Sequence, residues 1–114
     1  MDQRREHVRR LLQVQATVTD LDGGPVRIAQ IIDIARMGVA FVTPYRMEAD
    51  KRYRFCFAFP GSSIRNDAVI DLVYSRPVGS EGRFRNGARF DHLPQASVDQ
   101  IVDYVTSSGA AEAA

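Results

Sequence analysis

A chain of 114 residues, 45% hydrophobic and 25% charged, has the length and composition of one globular domain with a single core. No apolar run approaches the roughly 20 residues needed to cross a bilayer. The charged residues 1–10 have no apolar segment behind them to make a signal peptide, so a cytoplasmic protein is expected, without membrane insertion. A formal net charge of +1 argues against binding to nucleic-acid polymers. Of the 15 basic residues only Lys51 is a lysine, and arginine's planar fork suits phosphate and ring stacking as lysine does not. A codon bias would leave the same excess, so position has to decide its meaning.

Residues 1–10 read as a flexible arginine-rich arm, and residues 11–107 as the folded domain. From 11 to 20 the chain alternates, with Leu12, Val14, Ala16 and Val18 on one face and Gln13, Gln15, Thr17 and Thr19 on the other, as a half-buried strand does. A Gly-Gly-Pro turn at 23–25 joins it to a second strand at 26–34, and a short third strand covers 38–43. In residues 52–59, Tyr53, Phe55, Phe57 and Phe59 share one face, the pattern of a core stripe. Cys56 lies among them and reads as a buried structural thiol without a disulfide partner. Further strands are predicted at 67–75 and at 83–91, the last weakened by Gly87, with a loop over 77–82 between them.

The period then changes. Val98, Ile101, Val102 and Val105 fall on one face of a helix at about 97–107, with Ser97 and Gln100 as a capping box and Gly109 as the stop. Residues 108–114 read as a disordered tail. Six short strands followed by one helix predict a mainly β fold. The expected architecture is a six-stranded antiparallel β-barrel with a C-terminal α-helix packed against it and a flexible N-terminal arm.

Little in the chain suggests catalysis. His7 and His92 are the only histidines, neither is at metal-ligand spacing, and no Walker loop, nucleophile elbow or His-Glu-x-x-His pair is present. A binding protein without metal or cofactor is expected, not an enzyme. Two segments stand out instead. Arg4, Arg5, Arg9 and Arg10 cluster ahead of the first strand. They read either as a solvated basic arm or as an anion clasp that donates charge-assisted hydrogen bonds to phosphate. Asp33 to Gly38 lies at the junction of the second and third strands, where Gly38 permits a left-handed or close-packed backbone. Asp33 there either bonds its own turn or presents a carboxylate able to accept the N1–H and N2–H of a guanine.

In this order the two segments resemble the PilZ family, whose signature is Arg-x-x-x-Arg before the first strand and Asp/Asn-x-Ser-x-x-Gly about two strands later. Arg5 to Arg9 fits the first segment, and Asp33 to Gly38 fits the second except at Ala35, where the family has serine. Gly87, Ala88, Arg89 and Phe90, with Leu93 and the helix that follows, resemble the family's closing strand and helix.

The resemblance implies a bacterial receptor for the second messenger cyclic di-GMP. In that role Arg5 and Arg9 would hold phosphates and a guanine Hoogsteen edge. Asp33 would accept from the Watson–Crick edge, and Gly38 would allow the turn. Arg4 would contact a second, stacked ligand, with Arg10 and Arg36 nearby. Ordering of the arm would be read by a protein effector in trans, in motility, pilus, polysaccharide (biofilm) or virulence machinery. The missing hydroxyl at Ala35 predicts affinity lower by roughly twofold to 150-fold, the range of one hydrogen bond to a neutral or charged partner. The alternative implied is a PilZ-like protein–protein adaptor that does not bind cyclic di-GMP, for example in type IV pilus biogenesis.

Overall fold

The computed structural model describes residues 8–113. Seven strands come first: β1 (Arg9–Leu11), β2 (Gln15–Asp20), β3 (Arg27–Ala35), β4 (Gly38–Thr43), β5 (Arg52–Phe57), β6 (Asn66–Val78) and β7 (Arg83–His92). One helix follows, α1 (Gln95–Ala113). Every pairing is antiparallel, in the order β3-β2-β5-β6-β7-β4, and β4 returns to pair with β3. The expected six-stranded barrel is therefore closed, which leaves no long sheet edge exposed.

β1 is an additional strand. The first predicted strand breaks at residues 12–14 into β1 and β2, which lie end to end along the same edge of β3. Leu12 N–H still donates to Ile32 O, and Ile31 N–H to Val14 O, both at 2.9 Å, so the break is laced to β3. Arg9 and Arg10, assigned to the flexible arm from sequence, are thus strand residues; residues 1–7 lie outside the described part.

The aromatic stripe forms the core as predicted. Tyr53, Phe55, Phe57 and Phe59 are all buried, with Phe41, Ile31, Ile34, Ile70 and Leu72 around them. The rings run from Phe41 through Phe55, Phe57 and Phe59 to Tyr104, with successive centroids 4.9–6.0 Å apart. That chain of rings leads onto α1, whose Ile101 and Val105 are buried against the barrel. Gly23 and Gly24, at φ 95° and 127°, make the β2–β3 turn in a region open to glycine and strained for other residues.

Other boundaries differ from the sequence reading. β6 continues through Pro77, which pairs with Phe84 near the hairpin end, where a missing N–H is tolerated. α1 starts at Gln95 because Pro94 O accepts from Ser97 and Val98 N–H. Ser97 is buried within the first turn, and Gln100 donates to Ser62 Oγ at 3.1 Å, so the predicted capping box does not form. The helical backbone also runs past Gly109 to Ala113, into the segment expected to be disordered. Ala110, Ala111 and Ala113 are the strongest helix formers, against a glycine cost of about 1 kcal/mol.

One irregularity positions the site. Between Ile31↔Phe41 and Asp33↔Ala40 the β3–β4 register shifts, leaving Ile32 as an extra residue. In unbroken register, with Ile32 matched on β4, strict alternation from buried Ile31 would turn Asp33 into the core. With the shift, Ile34 is the next inward side chain, at 0% exposure, and Asp33 faces outward.

Candidate functional site

Pairing of β1 with β3 sets Arg9 opposite Ala35 and Leu11 opposite Asp33, so these four side chains share the barrel's outer face. Arg9 reaches along that face to Asp33. Its Nε donates to Asp33 Oδ1 at 2.7 Å, and its Nη2 lies 2.6 Å from the same oxygen. From the other side Arg85 on β7 brings Nη2 to 3.7 Å from Oδ2. The Asp33 side chain is only 16% exposed between arginines at 46% and 42%. An acidic residue from the second segment is thus flanked by a cation from the first and another from a distant strand.

The outer face continues through Asp33↔Ala40, Ala40↔Gly87 and Gly87↔Tyr74. A cleft of about 270 Å³ opens along this row, lined by Arg9, Ala40, Tyr74, Arg85 and Gly87 among others. Small residues at 40 and 87 make the floor, and guanidiniums line it. Such a surface accepts an anion or a planar ring.

The remaining sequence candidates divide. Ala35 is 1% exposed and lies on the same face as Arg9 and Asp33, so a serine hydroxyl there would start from that face. Gly38 does not have positive φ; close packing is the reason for glycine, since a Cβ there would stand 2.6 Å from Ala88 O. Arg10 alternates to the other side, donates from Nη1 to Tyr104 O at 3.2 Å and stacks 4.0 Å over the Tyr104 ring. Tyr104 in turn donates from its hydroxyl to Leu11 O at 2.6 Å, so α1 grips β1. Arg36 is exposed, with Nη1 3.3 Å from Met37 Sδ. Arg4 and Arg5 lie outside the described residues.

Arg85 and Tyr74 escape the sequence reading. They are far from both motifs along the chain, and only barrel closure brings Arg85 to Asp33 and Tyr74 to the cleft beside Arg9. Gly87 was the available signal: its apparent weakness in a strand marks where the Tyr74 ring lies against the backbone, a Cβ there being 2.3 Å from Tyr74 Cε2.

Cys56 is remote from this site. It is buried, and its thiol donates to Asp67 Oδ1 at 2.8 Å. Burial, and then the Asp67 carboxylate, pushes the thiol pKa up from its ordinary value. Alkylation at pH 8 is therefore expected to run at least about tenfold slower on the folded protein than in denaturant; equal rates would show an open, reactive thiol. Among the described residues no group of three His, Cys, Asp or Glu could hold a metal ion, and no helix is long and apolar enough to cross a membrane.

A closed antiparallel barrel carrying an arginine-flanked carboxylate beside an outer cleft defines a small β-barrel with a polar surface site. The chain belongs to the PilZ domain family, whose model matches residues 3–107. Its fold is similar to that of the Bacillus subtilis inhibitor of motility (MotI/DgrA), with a TM-score of 0.76 at 8% sequence identity. The match covers 90% of this chain and 49% of that one, so the chain spans about half its length. At such identity the likeness is one of fold alone. No curated protein sequence matches the chain.

Proposed function

We propose that the chain is a cyclic di-GMP receptor, a cytoplasmic binding module that is not an enzyme and that acts on a protein effector in trans. The observation that carries this reading is the meeting of Arg9 and Asp33, the ends of the two family segments, at the mouth of a cationic cleft. Arg5 and Arg9 hold phosphate oxygens and a guanine Hoogsteen edge, and Asp33 accepts from the guanine Watson–Crick edge. Arg4 serves a second stacked ligand. Ordering of residues 1–8 over the bound ligand is the signal.

Without ligand, Arg9 occupies the Asp33 oxygen that the guanine needs. An ion pair this exposed is worth about 0–1 kcal/mol, so displacing it lowers affinity by no more than about fivefold. Ligand contacts of the charge-assisted kind outweigh that. The same self-paired state, together with the missing hydroxyl at Ala35, supports a second reading, a PilZ adaptor that works through protein contacts without nucleotide.

Calorimetric titration of cyclic di-GMP separates them. Wild type is expected to bind, and Ala35→Ser to bind more tightly by roughly twofold to 150-fold, the value of one restored hydrogen bond. Silence from both proteins would reject the receptor and leave the adaptor.

A further inference from the structure

The register of the β6–β7 hairpin sets Arg76 directly opposite Arg85. Like charges facing each other across an antiparallel pair destabilise a sheet. The two side chains turn apart. Arg85 leans to Asp33 Oδ2, and Arg76 stacks with its guanidinium carbon 4.3 Å from the Tyr74 ring centroid. Among the described residues no carboxylate is paired with Arg76.

Tyr74, two residues before Arg76 on the same face of β6, lines the cleft because the β6–β7 register shifts between Leu72 and Tyr74, and its ring rests on the glycine at 87. Arg9 and Arg85 flank the Asp33 carboxylate, and Arg76 stands across the hairpin from Arg85, so three guanidiniums on this face meet one carboxylate. An unfavourable cation pair beside an aromatic floor is what an anion bound between the two guanidiniums would relieve.

We infer that Arg76 and Arg85, with Tyr74 as floor, form a second phosphate subsite on the barrel wall, independent of the N-terminal arm. It takes a phosphodiester group of the cyclic dinucleotide and therefore rests on the receptor reading above. The phosphodiester belongs either to the ligand molecule held by Asp33 or to one stacked on it.

The test measures affinity for cyclic di-GMP and the melting midpoint without ligand, in the wild-type and Ala35→Ser backgrounds. Arg76→Ala, Arg85→Ala and, as control, Arg54→Ala on the exposed side of β5 are compared. Arg76→Ala leaves the Asp33 contacts intact, so it isolates the subsite. Arg76→Ala and Arg85→Ala are each expected to weaken binding about tenfold or more. Arg76→Ala should leave the melting midpoint unchanged or raise it, since a like-charge opposition is removed. Arg85→Ala should lower it only slightly, for the loss of one half-exposed ion pair, and Arg54→Ala should change neither quantity. One ligand per chain assigns the phosphodiester to the molecule on Asp33; two assign it to the stacked one. Unchanged affinity in both arginine variants, with wild-type binding intact, overturns the subsite alone. Silence of wild type and Ala35→Ser overturns the receptor and the subsite together.

Discussion

Replacing Arg5 and Arg9 together by alanine is expected to lower affinity for cyclic di-GMP by about 100-fold or more, with the fold retained. Each arginine gives charge-assisted contacts worth about 1.5–3 kcal/mol, and two such losses exceed the factor of ten that about 1.4 kcal/mol represents. The cost to the fold is small by comparison. Arg9 contributes one half-exposed ion pair to the described structure, of about 0–1 kcal/mol, and Asp33 keeps Arg85 when Arg9 is gone. In a domain of this size the melting midpoint should fall by no more than about 8 °C. Calorimetry and a thermal melt on the double variant check both numbers. Unchanged affinity would remove the arm from the site.

Gly38→Ala should behave in the opposite way and act first on stability. The added Cβ would stand 2.6 Å from Ala88 O, a backbone atom of the neighbouring β7, where Gly38 pairs with Arg89. Neither strand can yield without disturbing the β4–β7 ladder. Overpacking of this kind costs about 1–3 kcal/mol, or roughly 5–20 °C in the melting midpoint of a small domain. Gly87→Ala offers the comparison. There the atoms met belong to the Tyr74 side chain, which can swing away, so a smaller loss of stability accompanies a displaced cleft wall. A midpoint unmoved by Gly38→Ala would show that β4 and β7 are not so closely apposed.

The barrel was legible because its signals are local. Alternation from Tyr53 to Phe59 is visible within eight residues, and all four aromatics are buried as it requires. The helix face was legible for the same reason, with Ile101 and Val105 in the core. The capping box failed because Gln100 found Ser62, far back in the chain, and no local pattern reports that. The site divides along the same line. Arg9 and Asp33 could be assigned to one ligand in advance through the resemblance, whereas Arg85 and Tyr74 reach the cleft, and Arg76 its edge, only through strand pairings that close the barrel. Arg10 belongs to the first cluster by sequence and to the helix by geometry, because neighbouring residues on a strand face opposite ways.

Ile32 carries a consequence for how such chains diverge. It belongs to neither motif, yet because β4 offers it no partner Asp33 keeps its outward phase. A descendant that gained one residue in β4 between Ala40 and Phe41, opposite Ile32, would absorb the bulge and still spell Arg-x-x-x-Arg and Asp-x-Ala-x-x-Gly without an error. Its aspartate would nonetheless enter β3 on the inward beat, where an unpaired carboxylate is intolerable, and strand register or ligand binding would have to give way. Gain and loss of the site across relatives can therefore travel by insertion and deletion outside the signature, unseen by any comparison that scores the signature letters alone.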